Sequence, residues 1–177
     1  VTAEDGGAPL ADVQVCASAN SGFNCVITAN DGTYTISGLA TGNYTVTFAD
    51  FDGIYVNEYF DDVFDYDSAT PVSVTPHATT PGVDAALGSG ASVSGTVTED
   101  GSGDPLENVY VCVFDQANVY ECDYSGVDGT YSVGGLPSGN FTVGFSDFTG
   151  AHINEFFDDV TDVDLATPVT TTVPNET

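Results

Sequence analysis

Asp31-Gly32-Thr33-Tyr34-Thr35-Ile36-Ser37-Gly38-Leu39 reads as turn, strand, turn. The Asp-Gly pair opens it, Tyr34 and Ile36 alternate with polar residues at a period of two, and Gly38 closes the run. The phrase returns 97 positions later as Asp128-Gly129-Thr130-Tyr131, with Gly135-Leu136 behind it. Working outward, Gly42-Asn43-Tyr44-Thr45-Val46 recurs as Gly139-Asn140-Phe141-Thr142-Val143. Asn57-Glu58-Tyr59-Phe60-Asp61-Asp62 recurs as Asn154-Glu155-Phe156-Phe157-Asp158-Asp159, and Ala69-Thr70-Pro71-Val72 as Ala166-Thr167-Pro168-Val169. Pro9-Leu10 and Cys16 are matched 96 positions on, by Pro105-Leu106 and Cys112, so the one-residue difference sits between the paired cysteines. A long-period repeat of this kind means an array of similar units. Residues 1–90 and 91–177 are two copies, with Gly88-Ser89-Gly90 as the seam.

Each copy reads as all-β. Val13, Val15 and Ala17 alternate, as do Tyr44, Val46 and Phe48, and Asp-Gly or lone glycines punctuate the runs. No segment carries a helical apolar face. Short strands between regular turns predict two tandem antiparallel β-sandwich modules of seven strands each.

Pro-Leu before a Val-x-Val strand, then Asp-Gly-Thr-Tyr, Gly-Leu and Gly-Asn-Tyr/Phe-x-Val, resembles carboxypeptidase regulatory-like domains. These are similar to the transthyretin-like and Cna B-type sandwiches of secreted prokaryotic surface proteins. The resemblance implies the fold and leaves the function open among spacer, stalk and adhesin units. Some Cna B-type modules crosslink themselves through a lysine, and this chain has none.

The 177 residues hold 27 acids and no Lys or Arg, for a net charge of −27. About a quarter of an average domain is charged, in both signs. Without bases the chain does not neutralise nucleic-acid phosphates or adhere to an anionic membrane. P-loop chemistry and Schiff bases are excluded too. Yet 41% of the residues are apolar, which is ample for a core. There is no Met, and the chain begins at Val1, which reads as continuation or processing upstream, a signal peptide included.

Cys16/Cys25 and Cys112/Cys122 form two close pairs, each spanning adjacent strands. Disulfides within each module are expected, which places the protein outside the cytosol. The two histidines, His77 and His152, have no histidine at the matching repeat position and no nucleophile motif beside them, so they read as surface or turn residues. One acidic set recurs in full: Glu58, Asp61, Asp62, Asp65 and Asp67 against Glu155, Asp158, Asp159, Asp162 and Asp164. Oxygen ligands at this density suit Ca²⁺, although the spacing is not an EF-hand's. The alternative is a solvated acidic loop that both copies inherited. Sequons at Asn43, Asn140 and Asn175 are candidate glycosylation sites, the first two placed at a turn before a strand.

These features predict a non-enzymatic extracellular structural protein, a segment of a filament or surface stalk assembled head to tail as a homopolymer. A calcium-dependent adhesin or carbohydrate-binding module using Tyr55, Tyr59 and Tyr66 is the first alternative. An accessory domain of a larger secreted enzyme is the second. Alignment of Val1 with Val97 leaves module 1 without a counterpart of residues 91–96, and module 2 without a counterpart of residues 83–87. Those gaps are expected to be filled by strand addition or by continuation of the chain.

Overall fold

A computed structural model describes residues 1–20, 22–115 and 119–173. The chain divides into two compact units, Val1–Ser89 and Gly90–Thr177, the break falling inside the Gly-Ser-Gly seam. Both are all-β.

In the first unit, β1 (Thr2–Ala3), β2 (Gln14–Ala19), β3 (Gly22–Ile27), β4 (Gly42–Ala49), β5 (Glu58–Tyr59), β6 (Val72–Val74) and β7 (Ala86–Leu87) appear in chain order. One sheet runs β3-β2-β4-β5, with β6 also on β4, and all its pairings are antiparallel. The second sheet is the pair β1-β7, and it is parallel. An all-antiparallel expectation is corrected here: β1 and β7 lie at opposite ends of the unit, so no hairpin forces them to run against one another.

The second unit contains β8 (Ala91–Thr96), β9 (Tyr110–Phe114), β10 (Tyr120–Tyr124), β11 (Thr130–Leu136), β12 (Gly139–Ser146), β13 (Glu155–Phe156) and β14 (Val169–Thr171). Its larger sheet, β10-β9-β12-β13 with β14 on β12, repeats the first unit's. Its smaller sheet differs, being the antiparallel pair β8-β11. Among the described residues each unit has seven strands, but they are not the same seven. Residues 33–39 were expected to form a strand like β11, and none is assigned there. Their sequence is equally suited to one; what differs is the ladder partner, which β8 supplies to β11.

Alternation decides what goes inside. In β2 and β4, Val15, Ala17, Tyr44, Val46 and Phe48 point to the core and meet Val1, Ala3, Val72 and Leu87. In the second unit Val111, Val113, Phe141 and Val143 meet Val93, Val133 and Leu136. Each fully buried Val or Leu contributes on the order of 1.5–3 kcal/mol. The cysteines are direct cross-strand partners, Cys16 with Cys25 and Cys112 with Cys122, and both pairs are bonded within their own unit. Closing such a short loop adds roughly 2.5–3 kcal/mol in the chain-entropy picture.

A buried hydroxyl ties the loop before β2 to the segment after β3. Thr28 Oγ1 donates to the Leu10 carbonyl at 2.7 Å and accepts from the Val13 amide at 3.1 Å. Ser125 repeats this with Leu106 and Val109. The Asp-Gly-Thr turn has an equally specific reason for its glycine. Gly129 has φ +75°, and a Cβ there would stand 2.4 Å from the Val97 carbonyl oxygen. Gly101, at φ +86°, has nothing within 4 Å. Gly101→Ala therefore incurs only the left-handed backbone penalty, about 1–2 kcal/mol. Gly129→Ala incurs that and a backbone collision, so denaturant titration is expected to show clearly the larger loss for Gly129→Ala.

Candidate functional site

The repeated acids separate into two groups once folded. In the first unit, Asp61 and Asp62 occupy a tight turn at φ 79° and 58°, with Asp158 and Asp159 at 80° and 57° in the second. Aspartate is among the few residues that tolerate this region. Asp61 Oδ2 accepts from Thr70 Oγ1 at 3.0 Å, and Asp158 Oδ2 from Thr167 Oγ1 at 2.7 Å. Asp65 and Asp162 cap short 3-10 turns, Tyr66–Ser68 and Val163–Leu165, by accepting from the amides of Asp67 and Asp164. Asp67 and Asp164 sit exposed in those turns. Asp61, Asp65 and their twins thus have partners within their own loop.

Glu58 is different. It lies on β5 at 3% exposure, and its Oε1 is buried with no hydrogen-bond partner among the described residues. Burial first, then the charges of Asp62 and Glu4, push its carboxyl up to about 8. Backbone bonds bring these segments together: the Glu4 amide donates to the Leu87 carbonyl and the Val56 amide to the Gly88 carbonyl, both at 2.9 Å. The second unit repeats the trio as Glu155, Asp159 and Asp100, with Glu155 raised by burial and then by those two charges. Glu155 is only half-buried and lines an open cleft with Glu99, Asp100, Asp147, His152 and Asp159. The run of acids pointed to Glu58 and Asp62 but not to Glu4 or Asp100, which arrive from hairpins some 50 residues upstream. Among the described residues, no group of three or more His, Cys, Asp or Glu is arranged to hold a metal ion.

His152 Nδ1 lies 3.0 Å from Asp147 Oδ2. The Thr149 hydroxyl, then the Thr149 amide and the His152 ring and amide, hold the Asp147 carboxyl well below the usual range, and Asp147 also accepts from the Ala151 amide. In the first unit Asp50 likewise accepts from the amides of Asp52, Ile54 and Tyr55. The same loop is thus organised around an aspartate in both units, and in the second a histidine ring joins it. His77 lines a cavity in the first unit at φ 57°.

That cavity has a volume of about 600 Å³. Residues 33–39 form one wall and residues 75–84 another, with Ala17, Val46 and Val72 as apolar floor. Tyr34 crosses it: its hydroxyl donates to the Val83 carbonyl and its ring meets Phe48 edge-on at 6.0 Å.

The sequon residues Asn43 and Asn140 are exposed but lie inside β4 and β12, each the second residue of its strand, rather than at a preceding turn. Their Oδ1 atoms accept from Ser73 and Thr170 of the neighbouring short strands. Asn175 lies outside the described residues. Of the three tyrosines expected at the surface, Tyr66 is 54% exposed, whereas Tyr55 and Tyr59 are half-buried. A connected set of aromatic contacts lies in the second unit, where Tyr110 contacts Tyr124 and Phe148, and Phe114 contacts Tyr120 and Phe156. The first unit has Gln14 and Ser18 in place of Tyr110 and Phe114, so the repeat gave no signal for this surface.

No family model and no curated protein matches the chain. A solved structure, of a streptococcal ancillary pilin, aligns with 99% of this chain and 57% of its own length, at 15% identity and a TM-score of 0.37. The overlap is too loose to carry a function from one to the other.

Glu58 gives the site a pH signature. A carboxyl raised in the folded state favours its protonated form there, so the stability it contributes is complete below its ordinary value and is lost as pH rises through about 8. Between about pH 5 and 8 the chain is expected to lose stability at up to about 1.4 kcal/mol per pH unit from this group. Denaturant titrations of the native chain and Glu58→Gln at constant ionic strength check this: the difference between them should shrink steadily towards low pH.

Proposed function

We propose that the chain is a non-enzymatic extracellular structural repeat protein, a segment of a filament or cell-surface stalk whose units join head to tail. The observation that carries this reading is two units, each with its own core and its own disulfide, following one another with only residues 88–90 between β7 and β8. Bonded cysteines on both hairpins favour an oxidising compartment. The absence of Lys and Arg leaves trypsin-like proteases without a cleavage site, which suits a protein that persists outside the cell. Asn43 and Asn140, exposed one in each unit, support glycan attachment.

A second reading, a calcium-dependent adhesin or glycan-binding module, is favoured by one observation: the unpartnered buried oxygen of Glu58 beside Asp62 and Glu4. These carboxylates are not arranged as a metal cage among the described residues, so a divalent cation would have to draw them together, relieving desolvation and repulsion as it did so. An accessory role in a larger secreted enzyme would show as a catalytic domain in the parent reading frame.

Electron microscopy and light scattering of the purified chain test the first reading. Linear polymers with a two-unit repeat are expected, and a stable monomer with intact β-sheet signal at every concentration removes the head-to-tail homopolymer. For the second reading, Ca²⁺ should raise the melting temperature as RT ln(1 + [L]/Kd) beyond a NaCl control of matched ionic strength. That excess should vanish in Glu58→Gln.

A further inference from the structure

Three linked differences set the outer face of the second unit's larger sheet apart from its counterpart. Val111 and Val113 of β9 turn into the core, so Tyr110, Cys112 and Phe114 turn outward. Across the ladder Tyr124, Cys122 and Tyr120 stand beside them. Tyr120 and Tyr124 are 65% and 52% exposed, and Phe148, which contacts Tyr110, is 73% exposed. The first unit has Gln14 and Ser18 in the places of Tyr110 and Phe114, paired with Ile27 and Phe23. The third difference is Gly144, which stands where the first unit has Thr47. A Cβ on Gly144 would lie 3.3 Å from the Phe156 ring and 3.5 Å from the Phe114 ring, so the glycine leaves those rings room over the sheet.

On a chain with 27 acids, this face carries no charge among its described outward positions. Those on β12 are Thr142, Gly144 and Ser146, the ladder partners of Phe114, Cys112 and Tyr110. Glu121, Asp123 and Glu155 alternate to the opposite side, level with Val113, Val111 and Phe145. The Asp147 carboxylate beside Phe148 is turned into the amides of its own loop. The rings fall into two groups. Tyr110 meets Tyr124 and Phe148 at centroid distances of 4.8 and 5.6 Å, tilted by 43° and 41°, and Phe114 meets Tyr120 at 6.0 Å, tilted by 37°. About 13 Å of β9 separates the groups, and the Cys112–Cys122 bond lies between them.

We propose that this face binds a neutral, straight-chained glycan, a pyranose polymer of the cellulose or mannan kind, lying along the strands over both ring groups. Charge and hydrogen bonding choose among the occupants. A second copy of the chain would bring 27 further acids against the first. A basic partner would find no carboxylate on the face to pair with, and an anionic one would be repelled by the rest of the chain. A purely apolar partner would desolvate the hydroxyls of Tyr110, Tyr120 and Tyr124 without replacing their hydrogen bonds to water. A pyranose suits both kinds of group. Its C–H face stacks on the negative face of an aromatic ring, and its hydroxyls exchange hydrogen bonds with the phenols and with Thr142 and Ser146. Two ring groups in a row along the strands match a few sugars of a straight chain, not of a coiled one. The proposal rests on the glycan-binding reading of function, moves it from Tyr55, Tyr59 and Tyr66 to the second unit, and requires no calcium.

Retardation of the full chain in native gels containing soluble polysaccharide tests this. Hydroxyethylcellulose and galactomannan are the probes, amylose is the coiled control and alginate the anionic one. At least one probe is expected to retard the chain, neither control is, and a chelator changes nothing. Tyr110→Gln and Phe114→Ser install the residues that the first unit has at these places, and each should weaken binding by about fivefold or more. Phe23→Ser in the first unit should leave it unchanged. A second measurement needs no variant: nitration of the native chain by tetranitromethane, mapped by peptide. The retarding probe should slow nitration of Tyr120 and Tyr124 and leave Tyr66, 54% exposed in the first unit, as it was. No retardation by either probe overturns the proposal, as does retardation that depends on calcium. Binding that survives both substitutions, leaves Tyr120 and Tyr124 unprotected, or occurs only with amylose or alginate overturns this face while keeping a glycan-binding module.

Discussion

Every carboxylate in this protein must be accommodated without a lysine or arginine, and the loops are built around that constraint. Backbone amides and hydroxyls take the place of cations. Asp31 and Asp128 each hold an amide and a hydroxyl of the following threonine, and their carboxyls sit below the ordinary range for that reason. Asp50 and Asp147 gather several amides from one loop, and Asp65 and Asp162 cap short turns. An aspartate in these positions is at once the charge and the device that fixes the turn. Hydrogen bonds from neutral donors stabilise the ionised form without needing a countercharge nearby. Repulsion between loops remains, but it acts through water and is screened by salt.

Glu58 departs from this scheme. Its side chain is carried inward by the strand alternation that also buries Tyr44, Val46 and Phe48, and no amide meets its Oε1. Glu155, in the matching place, stays half in solvent. The same residue type at the same repeat position therefore meets two environments: both raise its carboxyl, and the deeper burial in the first raises it to about 8.

Much of the architecture was legible in the chain. The 96- and 97-residue offsets revealed two copies, and alternation at Val15, Ala17, Val46 and Phe48 identified the sheet that carries the core. The cysteine pairing followed from two strands joined by a short loop. What could not be read was anything set by pairing between distant segments. Residues 33–39 and 130–136 have the same pattern, yet only the latter is a strand, because a strand exists through its neighbour. The parallel β1-β7 pair is equally silent in a local pattern. The five repeated acids read as one cluster because they are close in sequence. Folding splits them, since a turn, a cap and a buried strand position point side chains in different directions. Glu4 and Asp100 join through hairpins that composition does not link to the later loop.

The position of the disulfides has a mechanical meaning. Each bond ties neighbouring strands of one hairpin, so the residues between Cys16 and Cys25, and between Cys112 and Cys122, sit in closed loops bypassed by the covalent load path. Pulled from its ends, an unfolding unit pays out all of its chain except that loop. At about 3.4 Å per extended residue, roughly 30 Å of contour per unit stays locked until the sulfur bond itself is reduced. Reductant thus acts on this protein as a control of extensibility as well as of stability.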